Sequence, residues 1–329
     1  IDTVEQLAEV KRIPIEVAQD TAVLNADDIN CLRMAAYTQA KNICYVTTDP
    51  HNRLVRQHIR SGGRAVALED GINGQMISIY DKGAHMPLLW THLIPATLEG
   101  QAIHNVQNAM FAAAMAFSMG ISLENIRQGL RTFDTSFFQA PGRMNIFDKL
   151  GFKVILDYGH NPAAVGAMCS LVDRMGAVGR KVCVLAAPGD RRNEDISEIA
   201  KLAAGHFDLY ICRQDDRSRG RTDGEVPQLL KQGLLNAGVS EEQIQLINNE
   251  QEAVDAALNI CETGDLLLIF ADKITRSWKQ IIYFHDAQQQ SDQEEVVEEV
   301  SDISSQMEDL LGAFTQDGRG VFLPIEQSD

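Results

Sequence analysis

The chain has 329 residues, enough for two hydrophobic cores rather than one. Its hydrophobic content of 45% includes no run near the roughly 20 apolar residues of a membrane helix, and its first eleven residues lack the basic and apolar regions of a secretory signal. A net charge of −17 argues against a nucleic-acid partner, and six cysteines without a CxxC pair argue against a zinc site or a disulfide frame and for reduced thiols in the cytoplasm.

In chain order, Val4 to Gln19 reads as an amphipathic helix interrupted at Pro14, and Thr21 to Asn25 as a short buried strand. A helix at Asn30 to Thr38, a strand at Asn42 to Thr47 and a helix at Arg53 to Ser61 follow, the last ended by Gly62-Gly63. Turn signals at Asp70-Gly71, Asn73-Gly74 and Lys82-Gly83 separate short apolar runs between Val66 and Leu93, a hairpin pattern. Ala102 to Ser118, rich in Ala and Met, predicts a mostly buried helix, and Ser122 begins another that ends near Phe133. Asp134 to Arg143 carries the Pro and Gly of a hinge.

After the hinge the rhythm becomes regular. Strands are expected at Val154 to Asp157, Lys181 to Ala187, Leu209 to Arg213, Ile244 to Ile247 and Leu266 to Ala271. Helices are expected at Ala163 to Met175, Ile196 to Gly205, Val226 to Ala237, Glu252 to Cys261 and Thr275 to Tyr283. Such alternation makes a parallel sheet covered on both faces, with ligands at the strand C-terminal ends. From Phe284 onward twelve acidic residues stand against Arg319 alone, and these account for −11 of the −17. Little in this tail can be buried, so disorder is expected, with Val296 to Leu311 able to form a weak amphipathic helix or a partner-binding one.

The phosphate loop GxxxxGK[ST] does not occur, and no GxGxxG follows a strand. Polar clusters at strand ends are what remain. Asp157-Tyr158-Gly159-His160-Asn161-Pro162 sits where a strand gives way to a helix; Asp157 there can bind two ribose hydroxyls, or Asp157 and Asn161 can simply cap the helix. Pro188 to Arg192, with Asp190 and Arg191, ends the next strand, and Asp215-Asp216-Arg217-Ser218-Arg219-Gly220-Arg221 with Glu225 ends the one after. Together they suit either the rim of a pocket for a zwitterionic substrate or a solvated salt-bridge cluster. Asn105 and Asn108, three apart at the start of a long helix, can present two amides to an adenine edge or serve as an N-terminal cap.

Taken in order, these segments resemble the Mur ligase superfamily. Ile1-Asp2-Thr3-Val4-Glu5, Ala8 to Lys11 and Ala22 to Asp28 are similar to the middle of its central ATPase domain, and His104-Asn105-x-x-Asn108 to its adenine-contacting motif. Ala140-Pro141-Gly142-Arg143 is similar to the hinge arginine that reaches ATP, and Asp157 to Pro162 to the ribose-binding start of its C-terminal domain. Ala187 to Ile196, Arg219-Gly220-Arg221 with Gly224-Glu225, and Thr275-Arg276-x-Trp278 resemble the branch that polymerises aspartate and arginine.

The resemblance implies an α/β fold: the C-terminal part of a mixed-sheet central domain at 1–139, a Rossmann-like parallel-sheet domain at 140–284 and an acidic tail at 285–329. It implies a cytoplasmic, ATP-dependent ligase, joining arginine to the side-chain carboxylate of an aspartate-containing polymer through an acyl phosphate, with Mg2+ as cofactor; a homo-oligomer is expected. Asn105 and Asn108 are assigned to adenine, Arg143 to the ATP phosphates, Asp157 to ribose, and His160 to a phosphate or substrate contact or a structural role. Asp190, Arg191, Asp215, Asp216, Arg219, Arg221 and Glu225 are the candidates for the amino-acid substrate, the arginine grip resting on charge complementarity. The phosphate loop and the magnesium-binding glutamate are expected upstream of Ile1, so the chain alone is expected to ligate nothing. Another Mur-type ligase, or a non-catalytic scaffold, are the alternatives.

Overall fold

The computed structural model describes residues 3–285, 315–317 and 320–322. Residues 1–274 form one compact unit and 275–329 a second. The beginning of the first motif, Ile1-Asp2, and the helix considered at 296–311 lie outside the described residues, as does most of the acidic tail.

Helix α1 (Val4–Lys11) starts at a capping box made by Thr3 and Gln6. The interruption expected at Pro14 falls two residues earlier: Arg12 ends α1, and Pro14 sits in the first turn of α2 (Ile13–Glu16), where its missing N–H costs no bond. Strand β1 (Thr21–Asn25), helix α3 (Ile29–Met34), strand β2 (Asn42–Thr47) and helix α4 (Arg53–Arg60) follow. Strands β3 (Arg64–Gly71), β4 (Gly74–Asp81) and β5 (Ala84–Trp90) are joined by two-residue turns; Lys82 and Gly83 both hold positive φ, which a tight hairpin requires. The sheet runs β1-β2-β3-β4-β5, with the first three strands parallel and the last two antiparallel. Helix α5 (Ile103–Ser118) packs Val106, Met110 and Ala113 against Val46, Val66 and Ile77 of this sheet's core, and α6 (Leu123–Thr132) adds Ile126.

The second sheet has the order β10-β9-β8-β11-β7-β6. Its strands are β6 (Asn145–Phe147), β7 (Lys153–Asp157), β8 (Lys181–Ala187), β9 (Leu209–Gln214), β10 (Ile244–Leu246) and β11 (Leu266–Phe270). All pair in parallel except β6, an antiparallel edge strand that the sequence reading did not contain. Helices α7 (Pro162–Met175), α8 (Asn193–Ala203), α9 (Glu225–Asn236) and α10 (Glu250–Ile260) cover it, which is why Ile155, Leu185, Leu268 and their neighbours read as uninterrupted apolar runs. Helix α11 (274–285) and the antiparallel pair β12 (Thr315–Asp317) and β13 (Gly320–Phe322) complete the described residues.

The two sheets are tied by the turn that leads into α5. Leu98 and Ala102 pack into the core of the second sheet, and Arg174 of α7 donates to the Gln101 carbonyl at 3.1 Å. This turn carries three consecutive positive φ values, at Leu98, Glu99 and Gly100.

Candidate functional site

Seven of the predicted site residues line two of the cavities in the first unit, Asn105, Asn108 and Arg143 one of them and His160, Arg191, Asp215 and Arg219 the other. The first, about 600 Å³, lies beside α5 and α6 and is lined by Asn105, Asn108, Ala109, Ala113, Phe133 and Arg143, among others. That volume is within the range of small-molecule sites. Helix α5 starts at Ala102 without a side-chain cap, so Asn105 and Asn108 are not its N-cap. Asn105 donates its amide to the Ala96 carbonyl at 2.7 Å and accepts from the Asn108 amide at 3.1 Å. Asn105 is thus held at both ends and fixes Asn108, which keeps its carbonyl oxygen and one N–H for a partner. That donor and acceptor pair matches the edge of a purine.

Arg143 reaches the same cavity because of how its own loop is built. Gly142 and Met144, on either side of it, both hold positive φ, and a Cβ on Gly142 would come within 2.8 Å of Ile274. Asn145, fully buried, closes the 135–142 loop into a ring: its amide donates to the Thr135 and Ala140 carbonyls at 2.8 and 2.9 Å and accepts from the Gly142 N–H at 2.7 Å.

Asp157 stands one step behind Arg143. Its two carboxylate oxygens accept the Met144 N–H at 2.8 Å and the Gly159 N–H at 2.7 Å. Burial pushes this carboxyl up, the two backbone N–H groups with Arg143 and His160 pull it back, and the net shift is upward. Asp157 therefore fixes the turn that presents Arg143 and is not in the cavity wall. Asn161 is the cap of α7, accepting the Ala164 N–H at 2.9 Å, with Pro162 beside it at the helix start.

The second cavity, about 80 Å³, opens at the C-terminal ends of β7, β8, β9 and β11, where an open α/β sheet places its ligands. His160, Arg191, Arg213, Asp215, Arg219 and Asp272 line it. His160 is oriented by a 2.9 Å contact of Nδ1 with the Tyr158 carbonyl. Arg219 has positive φ and lies 3.3 Å from Asp190 and 3.6 Å from Asp215. Gly189 lets this loop settle: a Cβ there would be 2.1 Å from the Ser218 carbonyl oxygen.

Of the predicted substrate residues, Arg191, Asp215 and Arg219 are in the wall, and Asp190 pairs with Arg219 beside it. Arg221 and Glu225 are elsewhere. Arg221 donates to the Gly189 and Arg191 carbonyls at 2.7 and 2.6 Å and pairs with Glu225, while Glu225 accepts the Thr222 N–H and hydroxyl at 3.1 and 3.0 Å. These two staple the loop to the start of α9. Asp216 is exposed and outside the wall.

Arg213, Glu250 and Asp272 were not anticipated. Arg213 gave one usable signal, a cation directly after the apolar run Leu209 to Cys212 of a covered strand. Among the described residues no group of three or more His, Cys, Asp or Glu converges to hold a metal, so a divalent cation finds no full ligand set there.

The arrangement of a doubly covered parallel sheet and a mixed sheet is shared with known proteins. The chain belongs to the Mur ligase superfamily: residues 142–273 match the family model described as Mur ligase, glutamate ligase domain. It is 36% identical over 317 residues to the cyanophycin synthetase of Trichormus variabilis, covering 93% of this chain and 34% of that protein, and 37% identical over 281 residues to that of Synechocystis, covering 84% and 31%. The chain therefore spans about a third of the length of these relatives. The UDP-N-acetylmuramoyl-L-alanyl-D-glutamate 2,6-diaminopimelate ligase of Corynebacterium efficiens is 26% identical over 82% of the chain and 48% of that protein. Among solved structures, E. coli FolC in complex with DHPP and ADP has a TM-score of 0.53 at 18% identity, covering 82% of this chain and 62% of that one, a likeness of fold.

Proposed function

We propose that this chain supplies the adenosine-binding and amino-acid-binding parts of an ATP-dependent amide ligase that joins arginine to the side-chain carboxylate of aspartate in a polymer. The observation that carries this reading is the convergence of Asn105, Asn108 and Arg143 on one cavity, with Asp157 behind Arg143. The higher identity to cyanophycin synthetases, 36–37% against 26% for the diaminopimelate ligase, favours aspartate and arginine over a peptidoglycan precursor. On this proposal residues 1–139 are the nucleotide lobe, 140–284 the amino-acid lobe and 285–329 an acidic tail.

The chemistry then runs in two steps. A carboxylate oxygen of aspartate attacks the γ-phosphorus of ATP; the bond to the β-phosphate oxygen breaks, ADP leaves and an acyl phosphate remains. The amine of arginine attacks the acyl carbon, the carbon–oxygen bond to phosphate breaks, and the amine loses a proton. In this chain Asn108 holds the purine edge, Asn105 fixes Asn108, and Arg143 meets the phosphates as their charge redistributes. Asp157 keeps Arg143 in place through the Met144 and Gly159 N–H groups it holds. Arg191, Asp215, Arg219 and His160 bind and orient the amino acid, and such orientation is worth several kcal/mol of barrier, up to about 10. Mg2+ would assist phosphoryl transfer when bound.

Calorimetric titration of the 329-residue chain with ADP tests the reading. Asn108→Ala should weaken ADP binding about tenfold or more, equivalent to about 1.4 kcal/mol. An unchanged affinity in a folded variant would remove the adenine assignment.

A further inference from the structure

Arg213 is an unusual occupant of its position. It lies in β9, covered on both faces, and is 1% exposed. Its Nη1 lies 3.0 Å from Glu250 Oε2, 3.3 Å from Asp215 Oδ1 and 2.9 Å from the Gln214 carbonyl oxygen, and its Nη2 donates to the Phe270 carbonyl at 2.6 Å. One guanidinium thus joins the end of β9, the end of β11 and the start of α10. Glu250, 0% exposed, extends the connection by accepting the Asp272 and Lys273 N–H groups, each at 3.0 Å. Both segments set in this way, at Asp215 and at Asp272, are walls of the 80 Å³ cavity.

A buried ion pair is poor evidence of stabilisation, because well-packed apolar residues of similar size often do as well or better. What this pair supplies is the placement of two carboxylates. Each is covered by a long, partly exposed cation at the cavity rim: Arg219, 37% exposed, is 3.6 Å from Asp215, and Lys273, 45% exposed, is 3.1 Å from Asp272. Flexible side chains of that kind can give way to a cation on a ligand. Arg213 also lines the cavity, and its buried Nε–H has no hydrogen-bond partner among the described residues. A basic amino acid offers the cationic side chain that these two carboxylates can take.

We propose that Arg213 is the positioning residue of this cavity, setting with Glu250 the Asp215 and Asp272 carboxylates that select a cationic amino-acid side chain. This rests on the ligase reading above and adds to it the residues that make the site prefer a basic substrate. Neither Asp216 nor Glu225 takes part in it.

The test uses the 329-residue chain saturated with ADP, titrated with arginine and with citrulline, its uncharged isostere. The wild-type chain should prefer arginine by about tenfold or more. The double variant R213M/E250L, which removes both buried charges together, should keep its unfolding temperature and its ADP affinity and lose the preference for arginine. R213K, which keeps the charge but cannot reach all four acceptors, should restore part of it. If the double variant does not fold, R213K alone must show a reduced preference at unchanged ADP affinity. An undiminished preference in a folded variant, or a wild-type chain that binds ADP but does not distinguish arginine from citrulline, overturns the proposal. A chain that binds no ADP overturns the ligase reading itself.

Discussion

Asp157 shows how one side chain can serve a site without standing in its wall. Its oxygens hold the N–H groups of Met144 and Gly159, so Asp157→Ala should release the turn around Arg143, weaken ADP binding and destabilise the fold by about 1–3 kcal/mol, measured by calorimetry and thermal unfolding. The pH dependence has a definite sign. Because burial raises the folded-state pKa above the usual carboxylate value, the stabilising contribution is complete below about pH 4 and is lost as pH rises through the raised value. Asp157→Asn removes that titration, so the stability of the variant relative to wild type should improve as pH rises from below about 4 through the raised value. A relative stability that falls over this interval would contradict the account. That Asn105 and Asn108 share a face was legible from their spacing, and Arg143 was singled out by its resemblance to the hinge arginine of the family; the structure brings the three to one cavity. Asn145, Glu250 and Asp272 were not legible, because each acts through partners brought near only by the fold, and Arg213 showed only as a cation after an apolar run.

Among elements, the strand and helix pattern was legible wherever one periodicity ran for several residues. Strands β1, β2 and β8 occupy the expected residues, since apolar runs bounded by turn signals leave little choice. Strand β6 was missed because three residues on an antiparallel edge carry no period of their own, and α1 ended before Pro14 because proline has no N–H for the carbonyl four residues back and its ring crowds that carbonyl. The loop of 215–221 depends on a contact that no local pattern reveals, the seat of Ser218 on Gly189. Gly189→Ala would set a methyl group 2.1 Å from the Ser218 carbonyl oxygen, so the loop must shift. The expected outcome is arginine binding weakened about tenfold with ADP binding within about twofold of wild type, read by paired titrations. Equal losses for both ligands would show that the glycine matters for the whole fold and not for the second cavity.

For the whole molecule, the two sheets have separate cores joined through Leu98, Ala102 and Arg174. The 329 residues contain no GxxxxGK[ST] and no converging metal ligands among those described. Phosphoryl transfer depends on positioning and charge around the γ-phosphate, so the isolated chain should bind ADP while hydrolysing no ATP above background in a phosphate-release assay. Measurable turnover would mean that it carries a phosphate site of its own. The central claim, that adenine lies against α5 beside Arg143, is tested most directly by photolabelling the chain with 8-azido-ADP and mapping the modified peptide. The label is predicted on residues 105–116 or 125–143, abolished by excess ATP; labelling confined to other segments, or insensitive to ATP, would contradict it.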